Sequence, residues 1–179
     1  MKFLTFNLLL LTFLQANENL LHSPENWSAK TDPYGSYLDS GNALIQNNTL
    51  ILKIKLQAKK TFWPYGEVIV TKPLSKPKFS SIVIAYKCST PITLKLSQSD
   101  FGAEGSKTYA HYQFTLPASD IWIKKTVFIH KFSQPNWASN QDKKAPLNLN
   151  KVEHIYLSPE IDGLTGGESL LKVKFLSIY

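Results

Sequence analysis

The residues best suited to hold a ligand are aromatic side chains in turn-rich parts of the chain. Trp63 and Tyr65 fall in a loop between two strand-like segments, and Tyr34 and Tyr37 flank a glycine. Sugar rings present apolar C–H faces with a rim of hydroxyls, so a glycan site needs exposed rings with amide, carboxylate or imidazole groups beside them. Rings in such loops either stand exposed or cap the core, and both interpretations stay open.

A second candidate surface lies on the strand-like segment 109–116. Side chains alternate between the two faces of a strand, so the apolar residues at even positions point inward. Tyr109, His111 and Gln113 then share the other face. This polar face predicts a binding groove, and a solvated sheet surface explains it equally.

The sequence lacks the signatures of a catalytic or metal site. Its 13 acidic residues are scattered, whereas a glycosidase needs two carboxylates across a cleft. The four histidines show no metal-ligand spacing, and no nucleophile elbow or phosphate loop is present. We therefore expect a non-enzyme without a cofactor. Asp39, Asp100 and Asp162 could supply a structural calcium site, although turn capping is the simpler explanation.

The positive charge of the chain comes from lysine alone. The net charge is +7, and all 20 basic residues are lysines. Arginine is the usual bidentate partner of guanine and of phosphate, so its absence argues against a nucleic-acid partner. Lysines scattered singly are more typical of a solvated face.

The first sixteen residues have the pattern of a secretory signal peptide. A basic residue, Lys2, precedes an apolar run from Phe3 to Leu14, and a small residue, Ala16, follows it. The run is too short to span a membrane. We expect cleavage after Ala16 and a mature chain, residues 17–179, that is periplasmic or secreted and has no membrane span.

The remaining chain reads as a single all-β domain. Short runs rich in β-branched and aromatic residues alternate with clusters of Gly, Pro, Asn, Asp and Ser. The predicted strands are 49–57, 67–71, 81–87, 92–98, 109–116, 125–130, 153–157 and 170–178. Eight strands at this spacing indicate an antiparallel β-sandwich of jelly-roll type, with at most one or two helical turns.

Four stretches in the middle of the chain carry a family resemblance. They are Ser-Gln-Ser-Asp at 97–100, Tyr-Ala-His-Tyr-Gln at 109–113, Leu-Pro-Ala-Ser at 116–119 with Trp122, and Phe-Ser-Gln-Pro-Asn-Trp at 132–137. This pattern resembles the galactose-binding-like jelly rolls of bacterial glycanases, in the group of β-glucan-binding modules related to the complex-I intermediate-associated domain. Trp27, Tyr37 and the closing segment 175–179 also fit. The resemblance implies the sandwich fold, packing roles for Trp122 and Trp137, and sugar binding by analogy.

Two functions follow from these observations. The first is an exported glycan-binding module whose partner is a polysaccharide or a cell-envelope glycan. The alternative is a structural or docking subunit of a periplasmic envelope assembly, such as an accessory piece of a flagellar motor disk, with protein partners. Trp63 and Tyr65 discriminate between them, because rings in an open groove favour a sugar and rings buried in the sandwich favour a scaffold.

Overall fold

The structure of the protein is a computed structural model that describes residues 18–58, 63–70, 78–101 and 108–179. The predicted signal peptide lies outside the described residues, as does Thr71 at the end of one predicted strand. Among the described residues, no helical segment has the length and apolar character needed to cross a bilayer.

The described residues form eleven strands. In chain order the strands are β1 (Trp27–Thr31), β2 (Tyr37–Asp39), β3 (Ile45–Gln46), β4 (Thr49–Leu56), β5 (Gly66–Val70), β6 (Ser81–Cys88), β7 (Ile92–Gln98), β8 (Tyr112–Leu116), β9 (Ser119–Phe128), β10 (Val152–Pro159) and β11 (Gly167–Ile178). Six 3-10 segments of three residues accompany them, more than the one or two helical turns predicted: Leu20–His22, Pro24–Asn26, Ser99–Phe101, Ile129–Lys131, Asp142–Lys144 and Leu149–Lys151.

The strands pair antiparallel in two sheets, which confirms the predicted β-sandwich. Sheet A has five strands in the order β1-β5-β10-β7-β8, and sheet B has six in the order β2-β4-β11-β6-β9, with β3 beside β4. Apart from the consecutive pairs β7–β8 and β3–β4, neighbours within each sheet are not consecutive in the chain. The surface of either sheet is therefore assembled from segments that the sequence keeps apart.

The core lies between the sheets and follows from side-chain alternation. On β4, Leu50, Leu52, Ile54 and Leu56 are buried while the residues between them are half-buried. On the central strands β6 and β7 this alternation is not seen in the burial, because every residue except Lys87 and Lys95 is buried. Each sheet nevertheless has an outer face that points away from the core between the sheets.

Three predicted strands begin three or more residues away from their predicted start, and one of these is the strand predicted at 170–178, which begins at Gly167. The strand predicted at 109–116 begins at Tyr112, because Tyr109 has a φ of +55° and interrupts the extended backbone. The strand predicted at 125–130 begins six residues earlier, at Ser119, and passes β6 with a register shift between Tyr86 and Cys88. The three short strands before residue 49 were not predicted.

Candidate functional site

A cleft with a volume of about 720 Å³ lies on the outer face of sheet A. The register places three side chains of its floor side by side, with Ile69 opposite Tyr156 and Tyr156 opposite Lys95. Gln113 on β8 is opposite Lys95 and continues this row. The register therefore places Gln113 on the outer face of sheet A, beside the cleft but not among the residues that line it.

Charged groups complete the floor of the cleft. The ammonium group of Lys95 forms an ion pair and hydrogen bond with the carboxylate of Glu67. Lys30 on β1 lies opposite Glu67 in the register and also lines the cleft. The floor thus offers hydrogen-bond donors and a carboxylate acceptor around the ring of Tyr156.

Aromatic rings form the walls of the cleft. Trp63 and Tyr65 stand on the segment before β5, with 62% and 42% of their surface exposed. Tyr109 stands on the segment before β8 and is 42% exposed. Rings in an open groove are expected to favour a sugar ligand, and rings buried in the sandwich a scaffold role. Trp63 and Tyr65 are exposed, so they meet the first expectation.

The segment that carries Tyr109 is strained. A φ of +55° is rarely adopted by a residue other than glycine and costs on the order of 1–3 kcal/mol. The amide of His111 donates a hydrogen bond to the carbonyl of Tyr109 at 2.7 Å, which closes a tight turn just before the strand. Strain of this kind concentrates at functional sites, and here it directs both side chains to the cleft.

His111 lines the cleft together with Tyr109, although its side chain is only 2% exposed. The turn at Tyr109 brings its imidazole in among the rings of Phe101, Tyr109 and Tyr156, whose centroids lie 6.1, 6.3 and 6.1 Å away, each nearly edge-on. Burial, together with the positive charge of Lys95, lowers the pKa of His111 to about 4. The imidazole is therefore neutral at neutral pH, with one donor and one acceptor nitrogen.

Neither ring nitrogen of His111 has a hydrogen-bond partner among the described residues. A buried polar group without a partner costs free energy, and most such groups in folded proteins are paired. Both nitrogens are covered in the unliganded cleft, so a ligand hydroxyl, which both donates and accepts, would reach one of them after a shift of the surrounding rings.

Asp32 organises the wall that carries Tyr65. Its buried carboxylate accepts hydrogen bonds from the amides of Tyr34, at 2.9 Å, and Tyr65, at 3.3 Å. Its own amide donates to the carbonyl of Tyr65, which also accepts from the hydroxyl of Thr31 at 2.7 Å. Burial alone would raise the pKa of Asp32, but hydrogen bonds from Ser36, Tyr34 and Tyr65 outweigh it and lower the pKa.

The remaining candidate aromatics lie outside the cleft. Tyr34 and Tyr37 are both exposed, and Tyr37 stands on β2 at the edge of sheet B, opposite Lys55. Trp137 is 65% exposed, so the packing role that the resemblance implied for it is wrong. Trp122 is half-buried on the outer face of sheet B, beneath Lys87 and Lys174.

The three candidate calcium ligands serve separate local structures. Asp39 accepts a hydrogen bond from the amide of Gly41, and Asp162 accepts from the amide of Leu164. Asp100 forms an ion pair with the ammonium group of Lys151 at 2.7 Å. Within the described ranges, no three metal-ligating side chains lie close enough together to hold an ion.

Six lining residues were not predicted. These residues belong to β1, β5, β7 and β10, which are far apart in the sequence. The sequence does not reveal that these strands are neighbours in sheet A. Asp32 carried a signal, since an Asp-Pro pair favours turn initiation. The six lining residues are Lys30, Thr31, Glu67, Ile69, Lys95 and Tyr156.

Solved structures with a similar fold are carbohydrate-binding modules. A family 11 module from Clostridium thermocellum, in complex with a β-1,3-1,4-mixed-linked tetrasaccharide, is 13% identical, with 83% of this chain and 88% of that chain covered and a TM-score of 0.50. The family 11 module of a cellulosomal cellulase of the same organism is 12% identical, with 84% and 88% covered and a TM-score of 0.51. A variant of a family 29 module is 13% identical, with 91% and 88% covered and a TM-score of 0.50.

These similarities define the class of fold. The chain is a jelly-roll β-sandwich of the kind found in carbohydrate-binding modules, which confirms at the level of the fold the resemblance seen in the sequence. No family model and no curated protein matches the chain.

Proposed function

We propose that the protein is a non-catalytic module that binds a polysaccharide in the cleft on sheet A. The observation that carries this proposal is the combination of exposed rings of Trp63, Tyr65 and Tyr109 with the buried, unpartnered imidazole of His111. Exposed rings suit the apolar faces of sugars, and neutral imidazole nitrogens suit their hydroxyls. Both requirements meet in one cleft, whose volume falls within the usual range for ligand sites.

The charged floor supports the same ligand chemistry. The carboxylate of Glu67 is an acceptor for sugar hydroxyls, and the ammonium group of Lys95 is a donor. Their mutual ion pair holds both side chains in place, so little conformational entropy is lost when a sugar binds.

The composition of the cleft also supports a binding role without catalysis. Of the described side chains that line it, Glu67 alone carries a carboxylate. Glycoside hydrolysis uses a pair of carboxyl groups on either side of the scissile bond. We infer that a polysaccharide bound in the cleft is released without being hydrolysed.

Export to the periplasm or the cell exterior is part of the proposal, because polysaccharides of the cell envelope and surroundings are found there. It rests on the pattern of the first sixteen residues. Mass spectrometry of the protein from its native host should show a chain that begins at Asn17. Intact Met1 on protein recovered from the cytoplasm would contradict export.

Affinity gel electrophoresis with soluble polysaccharides tests the binding function directly. The gels should contain mixed-linked β-glucan, glucomannan, xylan or galactan, and we expect at least one of these to retard the protein. If none retards it and a pull-down from the cell envelope returns protein partners, the docking-subunit alternative replaces glycan binding.

A further inference from the structure

Four lysines form a cluster on the outer face of sheet B, on the opposite side of the sandwich from the cleft. Lys172 and Lys174 belong to β11, Lys87 belongs to β6 and Lys124 belongs to β9, and these three strands are neighbours. Lys172 is directly opposite Lys87 in the register. We call these four residues the lysine face.

The charges of the lysine face are not compensated by the described part of the protein. None of the four forms an ion pair with a described carboxylate, whereas Lys53 and Lys55 on the same sheet share Glu168 at 2.8 and 3.4 Å. Like charges directly opposite each other on adjacent strands are destabilising. A bound polyanion would offset this repulsion, because its negative groups attract both Lys87 and Lys172.

Aromatic rings hold three of these ammonium groups in place. The Nζ atoms of Lys87 and Lys174 lie 5.4 and 4.7 Å from the centroid of the Trp122 ring. The Nζ atom of Lys124 lies 5.1 Å from the centroid of Phe175. Cation–π contacts restrict these otherwise flexible side chains, so less entropy is lost when an anion binds.

We propose that the lysine face binds an anionic polysaccharide, one whose carboxylate or sulfate groups repeat along the chain. Lysine presents a point charge without the fixed fork of arginine, which suits a repeating charge more than a single oriented group. This proposal goes beyond the function of the cleft and does not depend on it.

Two other polyanions fit the lysine face less well. Single-stranded nucleic acids stack their bases on exposed rings, but Trp122 and Phe175 are half-buried with lysines over them. Basic surfaces that bind membranes add apolar side chains that insert among the lipids. In this cluster the rings of Trp122 and Phe175 lie under the ammonium groups rather than beyond them.

The test compares two triple variants with the same change in net charge. The first replaces three residues of the lysine face, as Lys87→Gln, Lys172→Gln and Lys174→Gln. The control replaces three lysines elsewhere, as Lys131→Gln, Lys143→Gln and Lys144→Gln, in 3-10 segments that are not part of sheet B. Binding to polygalacturonate is measured by isothermal titration calorimetry at about 50 mM and about 500 mM salt.

We expect the first variant to bind polygalacturonate at least about tenfold more weakly, since each exposed charge pair contributes a modest amount. The control should bind polygalacturonate as tightly as the unchanged protein does. The affinity of the control and of the unchanged protein should be lower at high salt. The melting temperature of the first variant should stay close to that of the unchanged protein, because relief of the repulsion between Lys87 and Lys172 is offset by loss of the cation–π contacts with Trp122. Only the unchanged protein and the control should gain thermal stability when polygalacturonate is added.

Equal weakening in both triple variants would assign the effect to net charge and overturn the proposal. Stronger binding to single-stranded DNA or to vesicles of anionic lipid than to polygalacturonate would also overturn it. Trp63→Ala should leave polygalacturonate binding unchanged. Loss of neutral-glycan binding in that variant therefore reports on the cleft alone, and the two proposals can fail separately.

Discussion

Replacement of Trp63 by alanine should weaken polysaccharide binding while the fold stays intact. A tryptophan buries roughly 150–250 Å² when fully covered, and 62% of the surface of Trp63 is exposed in the free protein. A sugar stacked on one face of the ring would cover about half of that exposed area. At about 25 cal/mol per Å², the loss is about 1–2 kcal/mol, or roughly 5- to 30-fold in Kd.

Trp137→Ala is the matched control for this experiment. Trp137 is 65% exposed and does not line the cleft, so it has the same residue type and nearly the same exposure. Isothermal titration calorimetry with whichever polysaccharide retards the protein should show a weaker Kd for Trp63→Ala and an unchanged one for Trp137→Ala. Equal affinity in both variants would refute the stacking role, and a drop in melting temperature of Trp63→Ala by more than about 10 °C would assign the ring to the core.

Three further predictions concern the support of the cleft. Because the pKa of His111 is lowered, its contribution to the free energy of unfolding is full above pH 6.5 and falls by on the order of 3 kcal/mol as the pH drops toward 4. Denaturant titrations should show this loss in the unchanged protein and not in His111→Phe. The same variant should bind polysaccharide about tenfold more weakly. Asp32→Asn should lower the free energy of unfolding at pH 7 by about 1–3 kcal/mol. It should also reduce the loss of stability that the unchanged protein shows below pH 3.8, to which other carboxylates with lowered pKa values contribute as well; identical acid unfolding curves would contradict this. In Gly163→Ala, the new Cβ would lie 3.2 Å from two ring carbons of Trp63, so we expect a weaker Kd by a few fold at equal melting temperature, and unchanged affinity would show that the ring position is not critical.

The strands of the fold could be predicted where alternation runs for seven residues or more. The strand predicted at 92–98 has these bounds in the structure, and the one predicted at 49–57 differs by one residue. The strands before residue 49 are two to five residues long and lie among glycine and asparagine turns. Runs as short as β2 and β3 contain too few alternating positions to stand out from a loop, whereas β1 is as long as the predicted β5 but has a more polar sequence.

The candidate site could be predicted only in part, because its walls and its floor depend on different information. Trp63 and Tyr65 could be identified from residue type and turn context alone. Lys95 and Tyr156 belong to the floor because β7 and β10 are neighbours, a pairing that no local pattern encodes. The burial of His111 depends on the positive φ of Tyr109, which composition and periodicity do not reveal.

The edge strands of sheet B, β2 and β9, affect whether copies of the protein aggregate when many bind close together. Copies of the protein that sit side by side on one polymer would meet at high local concentration, where exposed strand edges can pair and seed aggregation. At one edge, β9 carries exposed Lys124 and Lys125 and a register shift against β6; at the other, β2 is three residues long. Charge, irregular register and short length each discourage pairing between chains. These edges therefore discourage fibril formation if many copies bind one polymer, as the proposed function implies.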